Sequence, residues 1–437
     1  MMMLLHATAE AIRSCRLSPV ELVENCLDQI DRYEPHVHAW VLIDRHGAWS
    51  EAERLAADVR NGNWRGPLHG IPIGVKDIID VAGWPTAAGS RLWANRIATH
   101  DAPVIGRLRQ AGAILLGKTV TTPYASFDPP PTKNPWDLTR TPGGSSSGSA
   151  AAVACGMCTG ALGSQTGGSL VRPASYCGVA AFKPSFGRVS VAGLLPLAPS
   201  MDHVGSIARS VKDLAIIQKT LEGPGASDMG APLPSAPRLG RLAGLFADLA
   251  DASAKGCVDH VIECLQSRGA AFVDVILPAA FDDVLSRHRL VMAVEAAAYH
   301  QSRLQEHPEE YGPQITSLLR EGLGCSAAEY VRTKEHQRRL TAEMPGCFDG
   351  VDALLTPATT GPAPAADTTG NPAFNSPWSY TGLPTVSLPA GWAPNGLPLA
   401  IQLVGRPGSD AQLLASAAWC EEAIAVDARL PPLPPRD

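Results

Sequence analysis

The chain has 437 residues, 45% of them hydrophobic and 18% charged, with a formal net charge of −6. That composition supplies a large buried core and rules out a disordered, highly charged chain. The acidic balance, with a sequence pI near 6.1, lacks the basic footprint of nucleic-acid binding, so no nucleic-acid partner is expected.

The apolar start at Met1 is too short for a secretory signal, and no run is long enough to span a bilayer. A cytoplasmic location without a membrane partner is the expectation. Ser18-Pro19-Val20-Glu21 predicts a helix start, with Ser18 as N-cap, Pro19 at the first helical position and Glu21 completing a capping box. Val20, Val23, Leu27 and Ile30 then fall on one helical face. In Gly70–Asp77, Ile71, Ile73 and Val75 alternate, which predicts a strand with Pro72 near its start or on an edge. Lys76 points to the opposite face, an unusual place for a solvated charge. Val104, Leu108 and Ala111 predict a helix that Gly112 stops, before a short buried strand at Ile114-Leu115-Leu116.

Gly223 to Gly240, rich in Pro, Gly, Ser and Ala, reads as a connection. Val258, Ile262 and Leu265 mark a helix closed by Gly269, followed by a strand over Phe272–Leu277. Residues 283–344 are mostly helical, with Ser326 and Glu329 as a second capping box, and Asp352–Thr356 and Thr385–Leu388 read as strands. The rhythm is α/β. We read residues 1–437 as one domain carrying a helical, more variable elaboration over 241–345. Ten cysteines show no framework spacing, and the lone Cys155-x-x-Cys158 pair sits at an Ala-rich run. Reduced, packed thiols are expected rather than a metal or redox centre.

Two glycine-serine runs carry the chemistry. Gly143-Gly144-Ser145-Ser146-Ser147-Gly148-Ser149 leads straight into Ala150–Ala154, which a flexible linker does not require. It also lacks the lysine of a phosphate-binding loop. It can instead present several hydroxyls at a helix start. In Gly163–Pro173, Gly167-Gly168-Ser169 suits a nucleophile loop, because two glycines let backbone N–H groups converge where an oxyanion forms. A serine needs a base, and no histidine stands in a pairing motif. Lys76 is the better candidate, since burial disfavours the ammonium form. A second serine could relay the proton.

Gly70–Asp77, Gly143–Ser149 and Gly163–Pro173 resemble the three motif blocks of the amidase signature family. Asp101–Val104, Gly117–Thr119, Asn134–Trp136, Asp202–Gly205, Leu355–Pro357, Asn371–Asn375, Gly382–Pro384 and Gln402–Gly405 resemble it in order, so the likeness covers most of the chain. It implies a three-layer α/β/α sandwich around a mixed central β-sheet. It also implies a Ser–Ser–Lys triad: Lys76 as base, Ser145 as relay after a cis Gly144–Ser145 bond, and Ser169 as nucleophile. Ser146, Ser147 and Ser149 are the rival relays. The oxyanion would be held by backbone N–H groups of Thr166, Gly167, Gly168 and Ser169. The implied reaction is hydrolysis of a small amide through an acyl-enzyme, with no metal or organic cofactor.

The chain departs from the common pattern in having Gln165 for an aspartate, Arg172 three rather than two residues after the nucleophile, and Pro123 for a glutamate. The first two departures resemble malonamidase-like and biuret-pathway amidases. Arg172 either grips a substrate carboxylate or forms a buried ion pair. Asp77 either tunes Lys76 or is a strand-end charge, and Phe127, Trp136 and Trp378 either line the pocket or fill the core. An alternative function is the glutamine-hydrolysing amidase subunit of a tRNA-dependent amidotransferase. A homodimer is compatible with a chain of this size.

Overall fold

Ser18 opens a helix over Pro19–Val37 as its sequence predicts: its hydroxyl accepts from Val20 N, and the Glu21 carboxylate accepts from Ser18 N at 2.7 Å. The coordinates are a computed structural model and describe residues 4–432 apart from 224, 227, 228 and 428. The ends of the 1–437 assignment therefore lie outside the described residues, as does part of the Gly223–Gly240 connection.

Eleven strands form the centre: β1 (Trp40–Ile43), β2 (Pro72–Lys76), β3 (Ile114–Thr119), β4 (Gly160–Gln165), β5 (Ala180–Lys183), β6 (His203–Ala208), β7 (Arg238–Leu242), β8 (Ala271–Val275), β9 (Ala353–Pro357), β10 (Thr385–Trp392) and β11 (Pro398–Val404). They join one sheet in the order β1-β3-β2-β4-β6-β5-β10-β11-β9-β7-β8. β2 runs parallel to β3 and β4, whereas β4 and β6 are antiparallel. The sheet is thus mixed, with helices packed on it, as the α/β reading requires.

β2 lies between two strands, so Pro72 is at the start of an interior strand and not on an edge. The first residue of a strand is where a missing N–H is tolerated. Ile71, Ile73 and Val75 are all fully buried. The predicted helix and strand after Asp101 form as Pro103–Gln110 and β3, with Gly112 turning the chain at φ +79°. The connection after Gly223 ends earlier than expected, because Arg238–Gly240 already pairs with Ala271–Val273 and opens β7.

The serine-rich run becomes the start of a helix, Ser147–Ala154, every residue of which is buried. Gly148 explains its small side chains: a Cβ there would collide with Ala39 O and Val120 N. Backbone packs on backbone at this point, so the run is not a linker. Beyond β8, long helices span Val284–Glu306, Pro313–Gly324 and Ala327–Glu343. Ser326 accepts from Glu329 N at 3.2 Å, which is one half of the expected capping box.

Cys155 and Cys158 are free and fully buried, and burial pushes both thiols up, away from reactivity. Among the described residues no group of three or more His, Cys, Asp or Glu could hold a metal ion, and no helix is long and apolar enough to cross a membrane.

Candidate active site

Lys76 closes β2 with no exposed surface. Its Nζ lies 2.7 Å from Ser145 Oγ and 2.8 Å from Ser164 Oγ. Neither partner is charged. Burial therefore drives the amine well below its ordinary pKa, and the Asp202 charge opposes this only in part. A neutral amine has two N–H bonds and one lone pair. With Ser164 accepting an N–H, the lone pair is free to face Ser145.

Ser145 follows a cis peptide bond from Gly144, and its carbonyl accepts from Thr122 N at 3.3 Å. The rival hydroxyls are committed to backbone carbonyls. Ser146 donates to Ser164 O at 3.2 Å, Ser147 to Gly143 O at 2.7 Å and Ser149 to Leu162 O at 2.9 Å. Ser146 N donates to Ser169 O at 3.0 Å, which fastens the first serine run to the second. Ser169 is half-buried, while Lys76 and Ser145 are fully enclosed. Of the three expected triad residues, only the expected nucleophile reaches the surface.

The loop between β4 and the helix Val171–Cys177 is held from several sides. Gln165 Oε1 accepts from Leu170 N and Val171 N, each at 3.1 Å. Thr166 Oγ1 donates to Asp202 Oδ1 at 2.5 Å, while Thr166 O lies 2.9 Å from His288 Nε2. Gly167 O accepts from Ser379 Oγ at 3.1 Å, and Gly168 O accepts from Arg172 N at 3.0 Å. Asp202, buried, is pushed up by that burial against the hydrogen bonds of Thr166, Ala198 and Leu197.

Arg172 is 1% exposed. Its Nη2 donates to Gly144 O at 2.8 Å and to Thr369 Oγ1 at 3.3 Å, and no carboxylate pairs with it among the described residues. The buried ion pair considered for it does not form. Nε and Nη1 are buried without a partner, and burial lowers the guanidinium to about 10, so it stays charged at neutral pH. Buried, partly unsatisfied donors on a cation suit an anion.

Asp77 directly follows β2 as a strand-end charge, and it is buried. It is 1% exposed and pairs with Lys118 at 2.8 Å. Burial pushes Asp77 up and Lys118 down, and each partner opposes the other's shift. Trp378 is core, stacked on Phe246 at 5.6 Å. Trp136 and Phe127 are half-buried, and Trp136 Nε1 donates to Cys177 O at 2.8 Å. Ser164, Asp202, His288, Thr369 and Ser379 were not singled out from the sequence. Ser164 and Asp202 stood inside quoted motifs, whereas His288 carried no signal.

The sequence pattern described as amidase matches residues 21–414. The chain belongs to the amidase signature family. This amidase is 36% identical to an amidase of Pseudomonas putida, over 98% of this chain and 97% of that one. It is 32% identical to a glutamyl-tRNA(Gln) amidotransferase subunit of Carboxydothermus hydrogenoformans, over 93% of this chain and 94% of that one. A crystal structure of an amidase superposes with a TM-score of 0.89 at 33% identity, covering 96% of this chain and 99% of that one. This amidase is accordingly a hydrolase of amide C–N bonds.

Proposed function

We propose that this amidase cleaves a small amide through an acyl-enzyme on Ser169, with Ser145 relaying its proton to Lys76. The observation that carries the reading is the fully buried Lys76 amine, 2.7 Å from the one serine hydroxyl of its run that is not bonded to a backbone carbonyl. Neutral Lys76 accepts the proton of Ser145 as Ser145 takes that of Ser169. Ser169 Oγ then attacks the amide carbonyl. Backbone N–H groups of the Thr166–Ser169 loop hold the oxyanion. The proton returns through Ser145 to the leaving nitrogen, which departs as ammonia or an amine. Water, deprotonated by the same route, releases the acid and regenerates Ser169.

Arg172 supports the finer reading that the substrate carries a carboxylate, as the resemblance to malonamidase-like enzymes implies. Its charge is uncompensated and two of its nitrogens are unbonded. The test is a fluorophosphonate probe. Labelling located at Ser169 by mass spectrometry and abolished in Lys76→Ala supports the triad, whereas undiminished labelling in Lys76→Ala removes it. The similarity to an amidotransferase component favours a second reading, hydrolysis of glutamine for a partner. Turnover of a small amide by the pure chain, without partner proteins or ATP, separates the two.

A further inference from the structure

The loop Thr166–Ser169 contains two adjacent glycines, the residues whose peptide planes rotate most freely. An oxyanion hole needs those planes fixed. In a trans peptide the C=O and the following N–H point in opposite directions. A donor that fixes the carbonyl of Thr166 therefore aims the N–H of Gly167, and one that fixes the carbonyl of Gly167 aims the N–H of Gly168. Both donors are present: His288 Nε2 lies 2.9 Å from Thr166 O, and Ser379 Oγ donates to Gly167 O at 3.1 Å. Among the described residues the N–H groups of Gly167, Gly168 and Ser169 have no protein acceptor. Two consecutive carbonyls are tied back, leaving two consecutive donors free on the other side.

We infer that His288 is a positioning residue, whose Nε2–H pins Thr166 O so that the Gly167 N–H faces the developing oxyanion. The inference rests on the proposed role of this loop. His288 is 3% exposed, and a Cβ on Gly167 would lie 3.5 Å from its Cε1, so ring and loop are in contact. A carbonyl only accepts, so the ring proton sits on Nε2. Burial holds the imidazole at about 4, so it is neutral in ordinary buffers.

The helix Val284–Glu306 also binds the turn beside the loop. Glu295 is seven residues from His288, two turns along the same face. Its carboxylate accepts from Ser200 N at 2.9 Å and from the Ser200 hydroxyl, in the turn whose Leu197 and Ala198 N–H groups bind Asp202. Asp202 in turn accepts from Thr166 Oγ1. Thr166 is thus held at its carbonyl by this helix and at its hydroxyl by Asp202, whose turn the same helix also binds.

The experiment measures the rate of fluorophosphonate labelling at Ser169, where the phosphoryl oxygen replaces the oxyanion and fluoride leaves. His288→Leu is expected to lower the labelling rate and kcat by about 10- to 100-fold with KM within threefold, since removing an oxyanion donor outright costs about 10²–10³ in kcat. His288→Gln, which keeps a donor at similar reach, is expected to stay within threefold of wild type. If His288→Leu does not fold, His288→Asn replaces it, because its shorter amide cannot reach Thr166 O and a tenfold deficit against His288→Gln is expected. Equal rates in the donor-bearing and donor-lacking variants would overturn the role of His288 alone. Labelling of the wild type at a residue other than Ser169 would instead overturn the site reading beneath it.

Discussion

Arg172 Nη2 lies 2.8 Å from the carbonyl oxygen of Gly144, the residue directly before Ser145. One guanidinium thus braces the backbone beside the proposed relay while two of its nitrogens remain unbonded. Arg172→Met is expected to lower kcat about tenfold on every amide and to raise KM about 100-fold only for amides bearing a carboxylate. Arg172→Lys keeps a positive charge but not the fork. Steady-state kinetics on matched pairs of neutral and anionic amides checks this. An equal change in both members of each pair would leave Arg172 with a bracing role only.

The pH dependence follows from Lys76. The proposed mechanism needs a neutral amine, and burial lowers the pKa well below the ordinary 10.5. Activity is therefore expected to persist below pH 10.5 and to fall as pH drops through the lowered folded-state pKa. The unfolded chain binds a proton at Lys76 in the window between that pKa and 10.5, where the folded chain does not. In that window the group's contribution to stability rises with pH. Lys76→Met is expected to lose about 10⁴-fold or more in kcat. It should also melt higher than wild type at pH 7, a gap that narrows toward pH 10. Differential scanning calorimetry at several pH values measures the gap, and a variant that melts lower throughout would contradict a neutral buried amine.

Asp77 and Lys118 form an ion pair with almost no exposed surface. Removing one partner strands the other's charge. Asp77→Asn is expected to cost about 3–5 kcal/mol in urea unfolding, and the double variant Asp77→Leu with Lys118→Met to recover much of that loss. Equal losses in the single and double variants would show that the pair's charge balance is not what matters.

At Gly148, helix backbone meets the end of β3 with no room for a methyl group. Gly148→Ala is expected to destabilise by about 3 kcal/mol, at the upper end of overpacking costs. It should also lower activity, because Ser145 and Ser146 precede this helix. Urea unfolding of the purified variant gives the first quantity and turnover the second. A stability within about 0.5 kcal/mol of wild type, a margin typical of unconstrained surface sites, would mean that the strands part easily here.

Elements with strong local signals were legible in the sequence. The capping box at Ser18, the alternation before Lys76, and the helix–glycine–strand rhythm after Asp101 all form as read. Strands β1, β4, β5, β6, β7 and β11 were not singled out as strands. β5 is Ala-Ala-Phe-Lys, too short and too poor in β-branched residues to declare itself, and one of its two pairing partners, β10, comes from a distant part of the chain. The same limit governed the site. Glycine and serine spacing marked the loops, because turn chemistry is local. Which hydroxyls meet the lysine depends on sheet register, so Ser164 went unnamed although it stands within the second serine-bearing run. His288 lies 122 residues from Thr166 on a helix that is amphipathic only weakly, and nothing beside it in sequence marks it. Of the two readings of Arg172, the buried ion pair depended on contacts that the sequence does not show, and Nη2 meets the Gly144 carbonyl instead.

Because Lys76 rises from a strand paired on both flanks, the proposed proton acceptor is set in the central sheet. The helices and turns around it, among them those that carry Phe127 and Arg172, lie outside the sheet. A laboratory redirecting this catalyst toward other amides could randomise those outer pieces, sparing His288 and Glu295, without having to rebuild its basicity.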